Sequence, residues 1–295
     1  MRALLTGGTG FIGVHLARHL AQSGWTVAAT VRPDSRPARV GLLRSAGCEI
    51  QAVDDSTATV VAVVAASRPD VVLHLATKFV GEHVVADIDG LMQSNVTFGT
   101  QLLEGIRAAS RGALVCIGTH WQHYENKEYS PVSLYAATKQ AFEDIAQYYA
   151  EVASIPVVAL HPSDCYGPGD ERKKLLHRLL EAARTGVTLD LSPGEQSIDL
   201  LHVDDLVRAI AIAARRAAAP HAGPRFERFS VRSGRSLTIR ELVALLEHVR
   251  GSAIPVRWGA RPYRARETFG AWTSGAPLPG WSPSIALESG IATLD

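Results

Sequence analysis

Thr6-Gly7-Gly8-Thr9-Gly10-Phe11-Ile12-Gly13 joins a short apolar run, residues 2–6, to a stretch of helical period, residues 11–23. Glycines permit a tight turn, let the backbone approach a bulky anion, and let a helix pack close to the strand before it. The helix start adds amide donors and the positive end of its dipole. An ordinary glycine-rich turn is the plain alternative. Position at the first strand-to-helix junction favours a dinucleotide's pyrophosphate instead. Two registers fit: Gly8, Gly10 and Gly13, or Gly7, Gly10 and Gly13 with a wider first gap.

Downstream of the loop, short β-branched runs alternate with longer amphipathic ones. Strands are expected at 25–31, 49–53, 70–75, 113–117 and 156–161, with helices at 57–67, 89–109 and 132–153. This alternation implies an α/β fold: a Rossmann-type, doubly wound parallel sheet, with ligands beyond the carboxyl ends of the strands. After about residue 163 the rhythm breaks. Residues 164–170 are rich in Gly and Pro; 171–185 reads as a basic helix, 187–191 as a short strand, and 204–218 and 238–250 as helices. Residues 274–283, dense in Pro, Gly and Trp, suggest an irregular cap. The expected organisation is a dinucleotide domain over 1–163, with about 192–220 returning to it. A smaller substrate-binding lobe takes about 164–191 and 221–295.

Composition narrows the partners. The 295 residues carry a net charge of +1, which argues against nucleic acid or a membrane surface as the main partner. No apolar run reaches a membrane span, and Met1-Arg2 leads directly into a strand with no secretory signal. Cys48, Cys116 and Cys165 are odd in number and far apart, which fits a reducing cytoplasm. His120 and His123 have no Cys or carboxylate at ligand spacing, so no metal is expected.

The end of the second strand discriminates between nicotinamide cofactors. An acid there would bind a ribose 2′-hydroxyl. The chain reads Thr30-Val31-Arg32-Pro33-Asp34-Ser35-Arg36, with Arg32 in that place and Arg36 close behind. Guanidinium groups suit a 2′-phosphate, which favours NADPH; a solvated Arg32 with Asp34 in the binding role is the alternative. Asp54 is placed either to meet the adenine amino group or to cap its own loop.

Tyr135-Ala-Ala-Thr-Lys139 puts a phenol and an ammonium one helical turn apart, on one face. The fold brings this helix beside Gly118-Thr119, at the end of the fifth strand, and His74-Leu75-Ala76-Thr77, at the end of the fourth. Beside a nicotinamide, these groups make a carbonyl/alcohol redox site. Tyr135 protonates the oxygen, Lys139 lowers the phenol pKa and binds ribose, and Thr119 holds the substrate oxygen.

With Thr6–Gly13, His74–Thr77, Asn95-Val96-Thr97-Phe98-Gly99-Thr100, Gly118-Thr119, Tyr135–Lys139, Tyr166-Gly167-Pro168-Gly169-Asp170 and His202-Val203-Asp204-Asp205 on view, the chain resembles the extended short-chain dehydrogenase/reductases over nearly its whole length. Leu134–Glu143, Thr119–Gln122 and Leu278-Pro-Gly-Trp281-Ser-Pro look like reductases of nucleotide-linked 4-keto-6-deoxyhexoses, of the CDP-abequose synthase type. The resemblance implies a dinucleotide held by Gly7, Thr9, Gly10, Phe11, Ile12, Gly13, Arg32, Arg36, Asp54, Leu75, Ala76, Thr77, Asn95, Tyr135, Lys139 and His161. It implies a nucleotide diphosphate-linked keto sugar met by Lys78, His120, Trp121, Asp164, Arg172, Lys174, Gln196 and His202. Asn95 is read either as a surface polar residue or as one that orders the active-site helix. Arg172, Lys173 and Lys174 either meet a diphosphate or form a solvated face. Family members often dimerise through the helices at about 89–109 and 132–153, so a homodimer is expected.

The chain also departs from the family. Sugar 4,6-dehydratases place Asp-Glu directly after the threonine; here stand His120-Trp121, which cannot replace two carboxylates in elimination. His161 stands where the family commonly has Arg, and Ile198 stands in the run of a usual arginine. The Thr119-to-Tyr135 interval is shorter than in many epimerases. The leading expectation is an NADPH-dependent 4-ketoreductase. An epimerase with tightly held NAD and a non-catalytic dinucleotide sensor are the competitors.

Overall fold

The computed structural model describes residues 1–220 and 225–294. Its first half alternates strand and helix: β1 (Arg2–Thr6), α1 (Phe11–Gln22), β2 (Thr26–Val31), α2 (Pro37–Ser45), β3 (Glu49–Ala52), α3 (Thr57–Ser67) and β4 (Val71–His74). Then come α4 (Ile88–Met92), a π turn (Gln93–Thr97), α5 (Phe98–Ala109), β5 (Ala113–Ile117), α6 (Leu134–Val152) and β6 (Val157–Pro162). The expected helix over 89–109 is therefore real, but it is interrupted by the π turn that carries Asn95.

The remainder comprises β7 (Asp164–Tyr166), α7 (Leu175–Thr185), β8 (Leu189–Asp190), β9 (Ser197–His202), α8 (Val203–Ala218), β10 (Phe226–Val231), β11 (Ser236–Thr238), α9 (Ile239–Arg250), β12 (Val256–Arg257) and α10 (Leu287–Ile291). The basic helix expected from 171 begins only at Leu175, because residues 171–174 are held in turns by Asp170 and Asp164.

Seven strands form one sheet in the order β10-β6-β5-β4-β1-β2-β3, every pair parallel. The order reverses between β1 and β4, where a crevice opens beyond the carboxyl ends. Central strands are apolar on both faces because helices cover both; Leu4, Leu5 and Leu73 are fully buried. Each such leucine contributes about 1.5–3 kcal/mol of transfer free energy.

Two placements differ from the sequence reading. Residues 226–231, assigned to the small lobe, are the seventh strand of the main sheet, with Arg228 opposite Ala159. Of the 192–220 segment, only α8 packs on that sheet; β9 joins a second sheet, β11-β9-β7. The proposed boundary at 221 falls in 221–224, outside the described residues. The small lobe has its own core of Leu179, Leu242, Leu246 and Ile291. The tail is anchored at buried Asp205, whose carboxylate accepts from Ser284 N, Ser284 Oγ and Ile285 N. Among the described residues, no helix is long and apolar enough to cross a membrane.

Candidate active site

The glycine loop is fixed by backbone crowding. Gly7 takes φ +68°, and a Cβ there would lie 2.5 Å from Ala76 N. At Gly13 a Cβ would lie 2.2 Å from Gly7 O, and at Gly10 3.2 Å from the same oxygen. Gly8 would meet only side chains, the nearest being Leu43 at 3.3 Å. The constrained set is thus Gly7, Gly10 and Gly13. No side chain caps α1 and no acid lies in its first turn, so its leading amides face an anion-compatible cradle. Phe11 is buried under the Arg172 guanidinium, 4.6 Å from the ring centroid; Thr9 and Ile12 complete the turn.

At the end of β2, the Arg32 backbone amide donates to Ser35 Oγ and its Nε lies 3.3 Å from Asp34 Oδ1. Arg36 is exposed, 3.4 Å from Glu171. Both guanidiniums are exposed members of surface ion pairs. Asp54 follows its plain alternative: Oδ1 accepts from Ser56 N and Ser56 Oγ, and these hydrogen bonds hold its carboxyl below the ordinary value.

The exit of β4 is threaded through Asn95, which is 1% exposed and so not a surface residue. Its Oδ1 accepts from Thr77 Oγ1 and Lys78 N, and its Nδ2 donates to Lys78 O and Thr138 Oγ1. One amide thus ties the β4 exit to α6, and a π turn is a local cost of placing it. Lys78 Nζ lies 3.0 Å from Asp87. Leu75 N and Ala76 N both donate into Thr6, which closes the back of the loop.

Ser133 caps α6, and the helix buries Tyr135, Lys139, Phe142, Glu143, Ala146 and Tyr149 along one stripe. Burial pushes the Tyr135 phenol up to about 12, against a smaller lowering from its hydrogen bond with Thr77. Burial also lowers Lys139 to about 8, against the pull of Cys116 and Glu143. Lys139 Nζ stands 5.8 Å from the Tyr135 ring centroid. The phenol therefore stands above its ordinary value, not below it. Desolvation dominates, and Tyr135 is a neutral, proton-bearing phenol. Thr119 Oγ1, at the end of β5, accepts from Trp121 N at 3.2 Å, and its hydroxyl proton is free to donate.

Three expected ligand contacts lie elsewhere. His161 is sealed between Glu143 and His123, 2.7 Å from each, so it offers a dinucleotide no free edge. His202 accepts from Asp204 N as the cap of α8 and packs edge-on to Tyr166. Arg172 is clamped onto Asp170, Cys165 O and Phe11. The histidines at 120 and 123 diverge: His120 Nδ1 donates to Pro162 O, and His123 turns inward. Among the described residues no group of three potential ligands could hold a metal.

A cleft of about 1000 Å³ opens between the sheet and the small lobe, lined by Phe79, Trp121, Asp164, Lys174 and Gln196 among others. Phe79 was not anticipated. Its half-exposed ring meets Tyr135 edge-on at 5.0 Å, Trp121 at 5.6 Å and Lys174 Nζ at 5.5 Å. Arg264 lies over Trp121 at 5.4 Å. Burial works to raise Asp164, but Lys174 and His120 outweigh it and hold the carboxyl at about 2. Gln196 donates to Ser192 and leaves its Oε1 buried without a partner.

Residues 3–227 match the family described as "NAD dependent epimerase/dehydratase family". The chain belongs to this family. Among curated relatives, CDP-abequose synthase of Salmonella muenchen is 24% identical over 98% of this chain and 95% of the relative. UDP-glucose 4-epimerase of Mycolicibacterium smegmatis is 28% identical over 99% and 96%. Among solved structures, the UDP-glucose 4-epimerase of Thermus thermophilus, in complex with NAD, superposes with a TM-score of 0.82 at 25% identity, covering 99% of this chain and 97% of that one.

Acids beside Thr119 are few among the described residues. His120 and Trp121 follow it, and the nearby Asp164 is engaged by Lys174 and His120. The sequence reading also missed Glu143, although it lies one turn beyond Lys139. The four-residue spacing of Tyr135, Lys139 and Glu143 on one buried face was the available signal.

Proposed function

We propose that the chain is an NADPH-dependent reductase of the C-4 ketone of a nucleotide-linked 4-keto-6-deoxyhexose. Gly7, Gly10 and Gly13 form a cradle that side chains would fill, above the uncapped start of α1, and this fits a dinucleotide pyrophosphate. Arg32 and Arg36, exposed just beyond the end of β2, would suit a 2′-phosphate. Bound there, the dinucleotide supplies hydride to the ketone carbon. Tyr135, neutral because it is buried, gives its proton to the carbonyl oxygen. The Thr119 hydroxyl donates to the same oxygen, and Lys139 brings positive charge toward the phenolate as it forms.

The observation that carries the reading is a proton-bearing phenol beside an apolar wall, with no uncommitted carboxylate next to Thr119 among the described residues. Elimination of water needs an acid/base pair that Asp164, already ion-paired, does not supply. Phe79, edge-on to the Tyr135 ring, and Trp121 beside it offer apolar surface that suits a C-6 methyl. The reading extends to a homodimer through α4, α5 and α6, whose outer faces leave Met92, Tyr148 and Val152 exposed.

A second reading has one observation in its favour. Asp34 shares its turn with Arg32, so an acid also stands at the end of β2, as NAD would need. Nucleotide-sugar epimerisation with tightly held NAD follows from that choice. Purified protein, NADPH and a panel of nucleotide-linked 4-keto-6-deoxyhexoses decide between them. Sugar-dependent NADPH oxidation supports the reductase. No oxidation with any sugar, together with NAD released on denaturation, sinks it in favour of the epimerase.

A further inference from the structure

A buried chain of hydrogen bonds runs from His123, against which the tail packs, to the backbone of Thr119. The Trp272 ring stacks on His123, with centroids 3.6 Å apart and planes within 5° of parallel. His123 Nδ1 lies 3.1 Å from Lys127 O, and His123 Nε2 lies 2.7 Å from His161 Nδ1. His161 Nε2 is 2.7 Å from Glu143 Oε1, an oxygen that also accepts from Gln122 Nε2 at 3.0 Å. Gln122 Oε1 in turn accepts from Thr119 N at 2.9 Å. The second carboxylate oxygen of Glu143 accepts from Arg228 Nε at 2.9 Å.

Donor bookkeeping fixes the protons. A backbone carbonyl only accepts, so His123 carries its proton on Nδ1. His123 is buried and stacked on Trp272, and burial is the main cause that lowers it to about 4, so it is neutral and its Nε2 is bare. His161 Nδ1 must therefore donate to it. On the other side of the ring lies a carboxylate. Glu143 accepts from Arg228 Nε on one oxygen and from Gln122 Nε2 on the other, the pattern of an ionised carboxylate. An ionised carboxylate only accepts, so His161 Nε2 donates as well. Both ring nitrogens carry protons. The other titratable groups packed around this ring and its carboxylate are Lys139, one turn earlier on α6, and Cys116 on β5. Gly118 lies directly on the ring: a Cβ there would be 2.6 Å from His161 Nε2.

We propose that His161 is a buried imidazolium that acts as a positioning residue, holding Thr119 in its reactive orientation through Glu143 and Gln122. The part that concerns catalysis rests on the reading of Thr119 given above; the charge on His161 does not. The same chain ties Thr119 to the tail, which grips the loop a second time where Thr273 N and Ser274 N donate to Asn126 Oδ1. A loop that is short between Thr119 and Tyr135 is thus braced from behind by the tail.

Two measurements test the proposal. NMR of the intact protein with isotope-labelled histidine, at neutral pH, should show both His161 nitrogens protonated and His123 bare at Nε2. A bare nitrogen on His161 would overturn the charge assignment whether or not any sugar is turned over. His161→Gln and Gln122→Met should each lower kcat with the keto sugar about tenfold to a hundredfold, with the dissociation constant for NADPH unchanged. His161→Arg should restore much of the loss. If His161→Gln does not fold, Gln122→Met alone decides, since it removes the bridge and leaves the ion pair intact. Wild-type kcat in a folded Gln122→Met protein would refute the positioning role. A wild-type protein that reduces no keto sugar would instead refute the functional reading, with the NMR result still standing.

Discussion

At Gly7 and Gly13 one added carbon would lie 2.5 Å from Ala76 N and 2.2 Å from Gly7 O, atoms of the main chain that cannot step aside. Across the cleft, Lys174 and Arg264 make their contacts with long side chains that are 29% and 46% exposed and free to re-aim. The first wall is specified by backbone, the second by side-chain placement. Substitutions should therefore act almost all-or-none on the first wall and by degrees on the second. Tyr135 stands at the seam, with its helix on the sheet and its ring against Phe79, over which Lys174 of the lobe lies.

The seam should give the largest effect. Tyr135→Phe removes the proton and little volume. Turnover should fall about 10²–10⁴-fold, while NADPH affinity stays within a factor of about two. Retained turnover would mean that the proton comes from elsewhere, and Thr119 would then be the next candidate. The seam should also show in pH. Lys139, lowered to about 8, loses its charge well before Tyr135, raised to about 12, loses its proton. Reduction should therefore fall off as pH rises through about 8, and Lys139→Arg should move that limb upward. A limb that stays in place would assign it to another group.

Next in size is the backbone wall. Gly13→Ala should destabilise the fold by about 3 kcal/mol and abolish dinucleotide binding, because overpacking against main chain has no soft outlet. Gly8→Ala, which meets only side chains, should cost under about 1 kcal/mol. Calorimetric melting of the two variants checks the contrast directly; equal losses would erase the distinction between the walls at its strongest point. At the rim of the same wall, the Arg32→Ala/Arg36→Ala double variant should weaken NADPH about tenfold and leave NADH unchanged. A parallel loss of both cofactors would move the preference away from the 2′-phosphate.

The same asymmetry explains what could be read from the residues alone. A backbone constraint leaves its mark at the position that needs it, so the glycine spacing and the strand rhythm were legible. Register was not: choosing Gly7 over Gly8 requires knowing that Ala76, about seventy residues away, fills the space. Tyr135 and Lys139 were legible because helical spacing is local. Glu143 sits at the same spacing, but its partners His161, Arg228 and Gln122 come from β6, β10 and the loop after β5, and no local pattern announces that meeting. The seventh strand was missed for a related reason. Phe226–Val231 carries Glu227 and Arg228, polar residues that look unlike a parallel strand until Arg216 and Glu143 are seen to pair with them. His161 was assigned to the dinucleotide by a resemblance in which Arg is common at that position; here its ring lies between Glu143 and His123, a meeting that sequence spacing does not announce.

The smallest effect should come from Lys174, and it tests the lobe wall most sharply. Lys174 Nζ donates to Asp164 Oδ1 at 2.9 Å and hangs over Phe79. Lys174→Met keeps the stem and removes the charge. Substrate KM should rise about threefold to tenfold, with kcat within about twofold and the cofactor unaffected. The variant also changes the pH dependence with a definite sign. Asp164 is depressed to about 2 chiefly by Lys174, with His120 second, against burial. Its ion pair therefore contributes stability above the unfolded carboxyl value, and that stability is lost as pH falls through about 2. Without Lys174, burial meets less opposition and the Asp164 carboxyl rises, so the acid limb of stability and of KM should move to higher pH. Melting curves followed downward from neutral pH would show it. If Lys174→Met instead stops turnover outright, the lobe side is as unforgiving as the glycine loop, and the division between a backbone wall and a side-chain wall fails there.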